Sequence, residues 1–80
     1  MTTFEETMEV VLFRCEQRLG HLGEVRVEPG AFDVIIGVAL GLPDGRRHAV
    51  MFGVEPDISP VEFADAASDR LLEWHAGLGA

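Results

Sequence analysis

Apolar residues recur at spacings of three and four near the start of the chain. Phe4, Met8, Val11, Leu12, Cys15 and Leu19 fall on one stripe, which predicts an amphipathic helix over residues 3–19. Thr3 and Glu6 have the spacing of a capping box, whose hydroxyl and carboxylate satisfy orphan amide donors. Gly20 then stops the helix as a residue free to take positive φ. Glu5, Glu6 and Glu9 occupy the first two turns, where the helix dipole favours anions.

The period then changes to two. Glu24-Val25-Arg26-Val27-Glu28 alternates polar and apolar, the pattern of a half-buried strand. Pro29-Gly30 is a turn pair, with Gly supplying a left-handed residue. Phe32 to Leu40 is β-branched and almost wholly apolar, which reads as a central strand covered on both faces. Pro43-Asp44-Gly45 is another turn, and Arg46 to Val54 makes a third strand. Short gaps between the three imply an antiparallel meander. The second helix carries the clearest signals. Ser59 is its N-cap, Pro60 its first residue and Glu62 the second half of a capping box. Ile58 and Phe63 stand where a hydrophobic staple would place them. Its apolar face is Phe63, Ala64, Ala67, Leu71 and Trp74, with Val61 and Leu72 at the edge, and Gly77 ends it. The order is αβββα. It predicts an α+β fold, a two-layer sandwich with two helices on one face of a three-stranded antiparallel meander. Residues 1–80 make one acidic domain.

An αβββα order of this size is similar to the double-stranded-RNA-binding domain. The resemblance is one of element order over nearly the whole chain, and it implies the fold. That family grips phosphate with a Lys-rich motif at the start of its second helix. The matching segment here, Ser59-Pro60-Val61-Glu62-Phe63-Ala64-Asp65-Ala66-Ala67, has two acids and no base, so RNA binding is not carried over. Arg46, Arg47 and His48 gather near one hairpin tip and read as a solvated turn.

Charge narrows the function classes. Fourteen Asp and Glu face six basic residues, all Arg, for a net −8. The 48 % hydrophobic content excludes a disordered acidic tail. A chain this short buries only roughly 60 % of its unfolded surface, so a partner or a second copy would help it. Nucleic acid and anionic membranes both require a cationic footprint that is missing. The single Cys15 allows no internal disulfide. The acidic start, Met1 to Glu6, is unlike a secretory signal. The longest apolar run, Val34 to Leu42, falls far short of the roughly 20 residues that span a bilayer. A cytoplasmic location is the expectation.

Familiar catalytic constellations are missing. Ser59 is already a cap and Ser68 lies in no Gly-x-Ser-x-Gly elbow. The glycines form neither a Walker loop nor a dinucleotide fingerprint. His21, His48 and His75 are not paired at helical spacing, and no second Cys exists to share a zinc ion. Cys15 lies in the apolar stripe and reads as a small buried hydrophobe. The expectation is a non-enzymatic protein without cofactor or metal.

The acids are unevenly placed. Asp65, Asp69 and Glu73 stack at i, i+4 and i+8, with Glu62 beside them and only Arg70 near that face of the second helix. Like charges at that spacing cost a helix about 0.2–0.5 kcal/mol per pair. Glu5, Glu9 and Glu16 line one side of the first helix. Such faces keep a small protein soluble. They also set carboxylates about 6 Å apart, near enough to a phosphate ladder to occupy a basic groove. Two apolar features remain. Val10 and Phe13 point away from the helical stripe. The sheet face bearing Ile35, Ala39, Ala49 and Met51 is apolar for a solvated surface.

The leading expectation is a small acidic inhibitor that occupies the basic, nucleic-acid-binding surface of a partner protein, analogous in size and charge to anti-CRISPR and other nucleic-acid-mimic proteins. Glu62, Asp65, Asp69 and Glu73 would carry it, then Glu5, Glu9 and Glu16. The alternative is an immunity, antitoxin or chaperone-like module that docks its client through the apolar sheet face, at Ile35 and Met51; Val10 and Phe13 are a further candidate apolar interface, and a homodimer is a further candidate assembly.

Overall fold

A computed structural model describes residues 4–30, 35–53 and 58–79. Helix α1 spans Phe4–Leu19, strands β1, β2 and β3 span Glu24–Pro29, Ile35–Gly41 and Arg47–Gly53, and helix α2 spans Pro60–Leu78. The sheet order is β1-β2-β3 and both pairings are antiparallel. The αβββα order and the α+β class are as expected, and they agree with the architecture that the resemblance implies. None of the described helices is long and apolar enough to cross a membrane.

The start of α2 follows its sequence signals closely. Ser59 is extended, with φ −70° and ψ 154°. Its hydroxyl accepts from the Glu62 amide at 3.2 Å, and its own amide donates to the Glu62 carboxylate at 3.4 Å. Pro60 occupies the first helical position, where a missing N–H leaves no bond unmade. The far end differs from expectation. The helix runs through Gly77 to Leu78, and the Gly79 amide turns back to the Ala76 and Gly77 carbonyls. Of the staple pair, Phe63 is buried and Ile58 stays exposed. Thr3, and with it the first-helix capping box, lies outside the described residues, as do the predicted strand ends at residues 32–34 and 54.

Gly20 and Gly30 do not adopt the left-handed conformation expected of them. Positive φ falls instead at Gly45, at 93°, in the β2–β3 turn. There the Asp44 carboxylate accepts from the Arg46 amide at 2.9 Å and from its Nε at 2.7 Å. Another glycine is needed for space. A Cβ on Gly23 would stand 2.1 Å from the Gly41 carbonyl oxygen, because the α1–β1 link passes against the end of β2.

Each strand sends alternate side chains to the helices. Ile36, Val38 and Leu40 of β2 are fully buried, and Val25, Val27, Val50 and Phe52 pack beside them from the edge strands. Val11, Cys15 and Leu19 meet them from α1; Phe63, Ala64, Ala67 and Leu71 meet them from α2. Helix α1 lies over β1, α2 over β3, and the helices pack on each other. Phe52 and Phe63 lock edge to face at 5.5 Å and 75°, a favoured aromatic geometry. The expectation that the central strand is covered on both faces holds for one face only. Along β2, buried residues alternate with half-buried ones. The run reads as continuously apolar because its outer positions are Ile35, Gly37, Ala39 and Gly41, three of them too small to break the pattern.

Three strands in a meander put an even number of chain reversals between α1 and α2, so the two helices run parallel. Gly23→Ala should therefore lower the melting temperature by several degrees, because the new methyl meets fixed backbone. Gly77→Ala, inside α2 with nothing within 4 Å of the added carbon, should raise stability by about 0.5 kcal/mol. Thermal unfolding followed by circular dichroism reads both.

Candidate functional site

Three surfaces bear the residues singled out in the sequence: the groove between the helices, the outer side of α1 and the uncovered side of the sheet.

The helix groove holds Asp65 and Asp69 of the expected carboxylate ladder, and they are not free. Arg14 Nε donates to Asp65 at 2.9 Å. Arg18 bridges Asp65, at 3.6 Å, and Asp69, at 2.7 Å. It also donates to the Asp65 carbonyl oxygen at 3.1 Å and to the hydroxyl of Ser68. Ser68, a buried polar residue that the sequence reading missed, returns its own proton to the Asp65 carbonyl. The expectation that only Arg70 stands near these acids is therefore corrected. Because the helices are parallel, Arg14 and Arg18 at i, i+4 meet Asp65 and Asp69 at i, i+4, with the same offset of 51 residues. Arg70 turns away and lies over the Phe52 ring at 5.8 Å. Glu62 is exposed but serves the capping box. Glu73 is exposed and far along the helix. Of the four α2 acids, three already have partners within the chain.

The outer side of α1 is different. Glu5, Glu9 and Glu16 are exposed. Val10 and Phe13 are exposed at 37 % and 65 %. Successive residues turn by about 100°, which sets Phe13 between Glu9 and Glu16 on one side and Glu6, Val10 and Gln17 on the other. An aromatic ring thus stands outward in the middle of an acidic helix face.

The uncovered side of the sheet is a trough of about 290 Å³. Its floor is Gly37, Ala39 and Gly41 of β2. Glu24, Arg26 and Glu28 of β1 form one wall; Arg47, Ala49 and Met51 of β3 form the other. Met51 is 66 % exposed and lies across Gly37. Ile35 is half-buried at one end of β2. Glu24 and Arg26 pair at 3.3 Å on the exposed wall, a contact that contributes little in water.

The basic residues at the β2–β3 turn do not form a patch. Arg46 is held by Asp44 at 2.6 Å, which lowers the Asp44 pKa and raises that of Arg46. Arg47 faces the trough. His48 points to the helix side and stacks on Trp74 at 5.2 Å and 18°, which corrects its reading as part of a solvated turn. Cys15 is buried, and its thiol donates to the Ala64 carbonyl at 3.6 Å. Among the described residues no three His, Cys, Asp or Glu side chains gather closely enough to hold a metal ion. No family model matches the chain, and neither a curated protein nor a solved structure matches it.

Two predictions follow the helix groove. Arg18→Met removes two ion pairs and two hydrogen bonds and should cost about 1–2 kcal/mol in urea unfolding, while Asp69→Asn should cost less than about 1 kcal/mol. Burial pushes the Cys15 thiol up from 9.0 to about 11, against the opposing pull of Arg18. The unfolded thiol ionises first, so stability should fall as pH rises from about 9 to about 11. Cys15→Ala should flatten that slope.

Proposed function

We propose that this chain is a non-enzymatic binding protein that presents the acidic outer face of α1 to a basic surface of a protein partner. The observation that carries this reading is Phe13, 65 % exposed among Glu9, Glu16 and Glu6. A ring at the centre of a contact, rimmed by charge, is the arrangement of a binding hot spot. The partner it fits has an apolar pocket rimmed by Arg or Lys. Long-range attraction from the net −8 steers the encounter, and the ring fixes the register.

The ion pairs move the centre of this surface. Asp65 and Asp69 hold the helices together, so Glu5, Glu9 and Glu16 take first place and Glu73 remains as a flank. A basic surface of this kind is what nucleic-acid-handling proteins display, and the inhibitor reading follows: the chain would block the groove that nucleic acid needs. The order of elements is that of the double-stranded-RNA-binding domain, but Glu62 and Asp65 at the start of α2 remove its phosphate contacts. The reading therefore places this protein opposite nucleic acid, as its competitor.

The test is capture from host lysate by the immobilised chain. Partners held by the wild type should be released by salt and by added duplex DNA. Glu9→Gln, Glu16→Gln and Phe13→Ala together should weaken capture at least tenfold, whereas Asp65→Asn should act on stability first. Capture that survives both salt and the triple substitution sinks the reading. Loss of capture on Ile35→Asp or Met51→Asp would move the client to the sheet instead.

A further inference from the structure

The uncovered side of the sheet carries balanced charge on the surface of an acidic chain. The whole chain is −8. The described residues that line the trough are Glu24 and Glu28 against Arg26 and Arg47, so they sum to zero. Two copies of so acidic a chain repel each other across most approaches. Across this face the groups that come into contact add no like-charge excess.

The strand register decides how a second copy fits. Glu24 pairs with Gly41, and Gly41 with Arg47, across the three strands. The next row outward is Arg26, Ala39 and Ala49, and the next is Glu28, Gly37 and Met51. A two-fold axis running along β2 lays the β1 wall of one copy over the β3 wall of the other. It keeps each row level with itself. Glu24 then meets Arg47 of the second copy, twice over by symmetry. Arg26 meets Ala49 and keeps its neighbours Glu24 and Glu28. The small floors face each other, and Met51 of each copy has the other's trough to fill. A two-fold axis across the strands, overlapping the whole face, would instead set Arg26 on Arg26 and Glu24 on Glu28. Like charges directly opposed are destabilising.

We propose that the outer sheet face is the interface of a two-fold dimer of this chain, with Glu24 of each copy paired to Arg47 of the other. The second copy would cover the face of β2 that the helices leave bare, turning the apolar run Ile35–Leu40 into a strand buried on both sides. Strands about 4.8 Å apart with seven residues of about 3.4 Å each give a footprint of roughly 15 by 24 Å. That is about 360 Å² per copy, below a standard interface of about 800 Å² per partner, so the dimer is weak and depends on concentration. The proposal does not rest on the α1 reading, because α1 lies on the opposite side of the sheet and stays exposed in the dimer.

Sedimentation equilibrium from about 10 µM to about 1 mM tests it, the range in which so small an interface assembles. The wild type should pass from monomer to dimer. Glu24→Arg and Arg47→Glu should each weaken self-association at least tenfold, since each creates two like-charge pairs. An equal mixture of the two variants should recover the dimer, because every 24–47 contact between unlike copies is again Arg with Glu. Amide shifts on dilution should concentrate at Gly37, Ala39, Gly41 and Ala49. A strict monomer at the highest concentration overturns the proposal, and so does failure of the mixture to associate. Both variants leave the α1 face intact, so loss of the dimer with partner capture retained separates this proposal from the one above.

Discussion

Two helices can cover one face of a three-stranded sheet and no more, and this geometric limit organises the molecule. The inner row of β2, Ile36, Val38 and Leu40, is the place where both helices meet the sheet. Val25, Val27, Val50 and Phe52 of the edge strands pack around that row. The chain places both described helices on the inner face. Its outer sheet face must therefore be tolerable in water, and the small floor of Gly37, Ala39 and Gly41 with charged walls makes it so. Fewer large apolar groups stand in solvent there than the unbroken β2 run suggests.

The same economy shapes the charge. An i, i+4 pair of aspartates weakens a helix on its own, yet Asp65 and Asp69 sit beside Arg14 and Arg18, which share their spacing and face them across the groove. The repulsion along α2 becomes attraction between α1 and α2. Ser68 completes the arrangement inside the groove, where a buried hydroxyl needs partners and finds them in Arg18 and the Asp65 carbonyl. Glu5, Glu9 and Glu16 stay outward on α1, and the exposed Phe13 lies among them.

The elements were legible because their local chemistry is strong. The Ser59, Pro60 and Glu62 cap, the alternation of β1 and the apolar stripe of α1 each name one structure. What escaped was chemistry between elements. The pairing of Arg14 with Asp65 joins residues 51 apart, and helical periodicity within α2 cannot show it. A signal did exist: an odd number of strands makes the helices parallel, and two parallel helices with matching four-residue spacings align opposite charges. The His48 and Trp74 stack was hidden for a related reason, since a hairpin tip and the end of a helix meet only through the fold. Glycine roles were the other loss. Gly23 is held by a close approach to Gly41, and no local pattern distinguishes that need from a left-handed turn.

Parallel helices have one more effect. In an antiparallel pair the macrodipoles oppose and cancel; here α1 and α2 point the same way, so theirs add, and the sheet contributes little against them. The partial positive ends of both helices gather at the end that holds Glu5 and Glu62, and the partial negative ends at the end that holds His21 and His75. Each effect is confined to the first or last turn, where two like partial charges lie side by side and favour an anion at one end of the domain and a cation at the other.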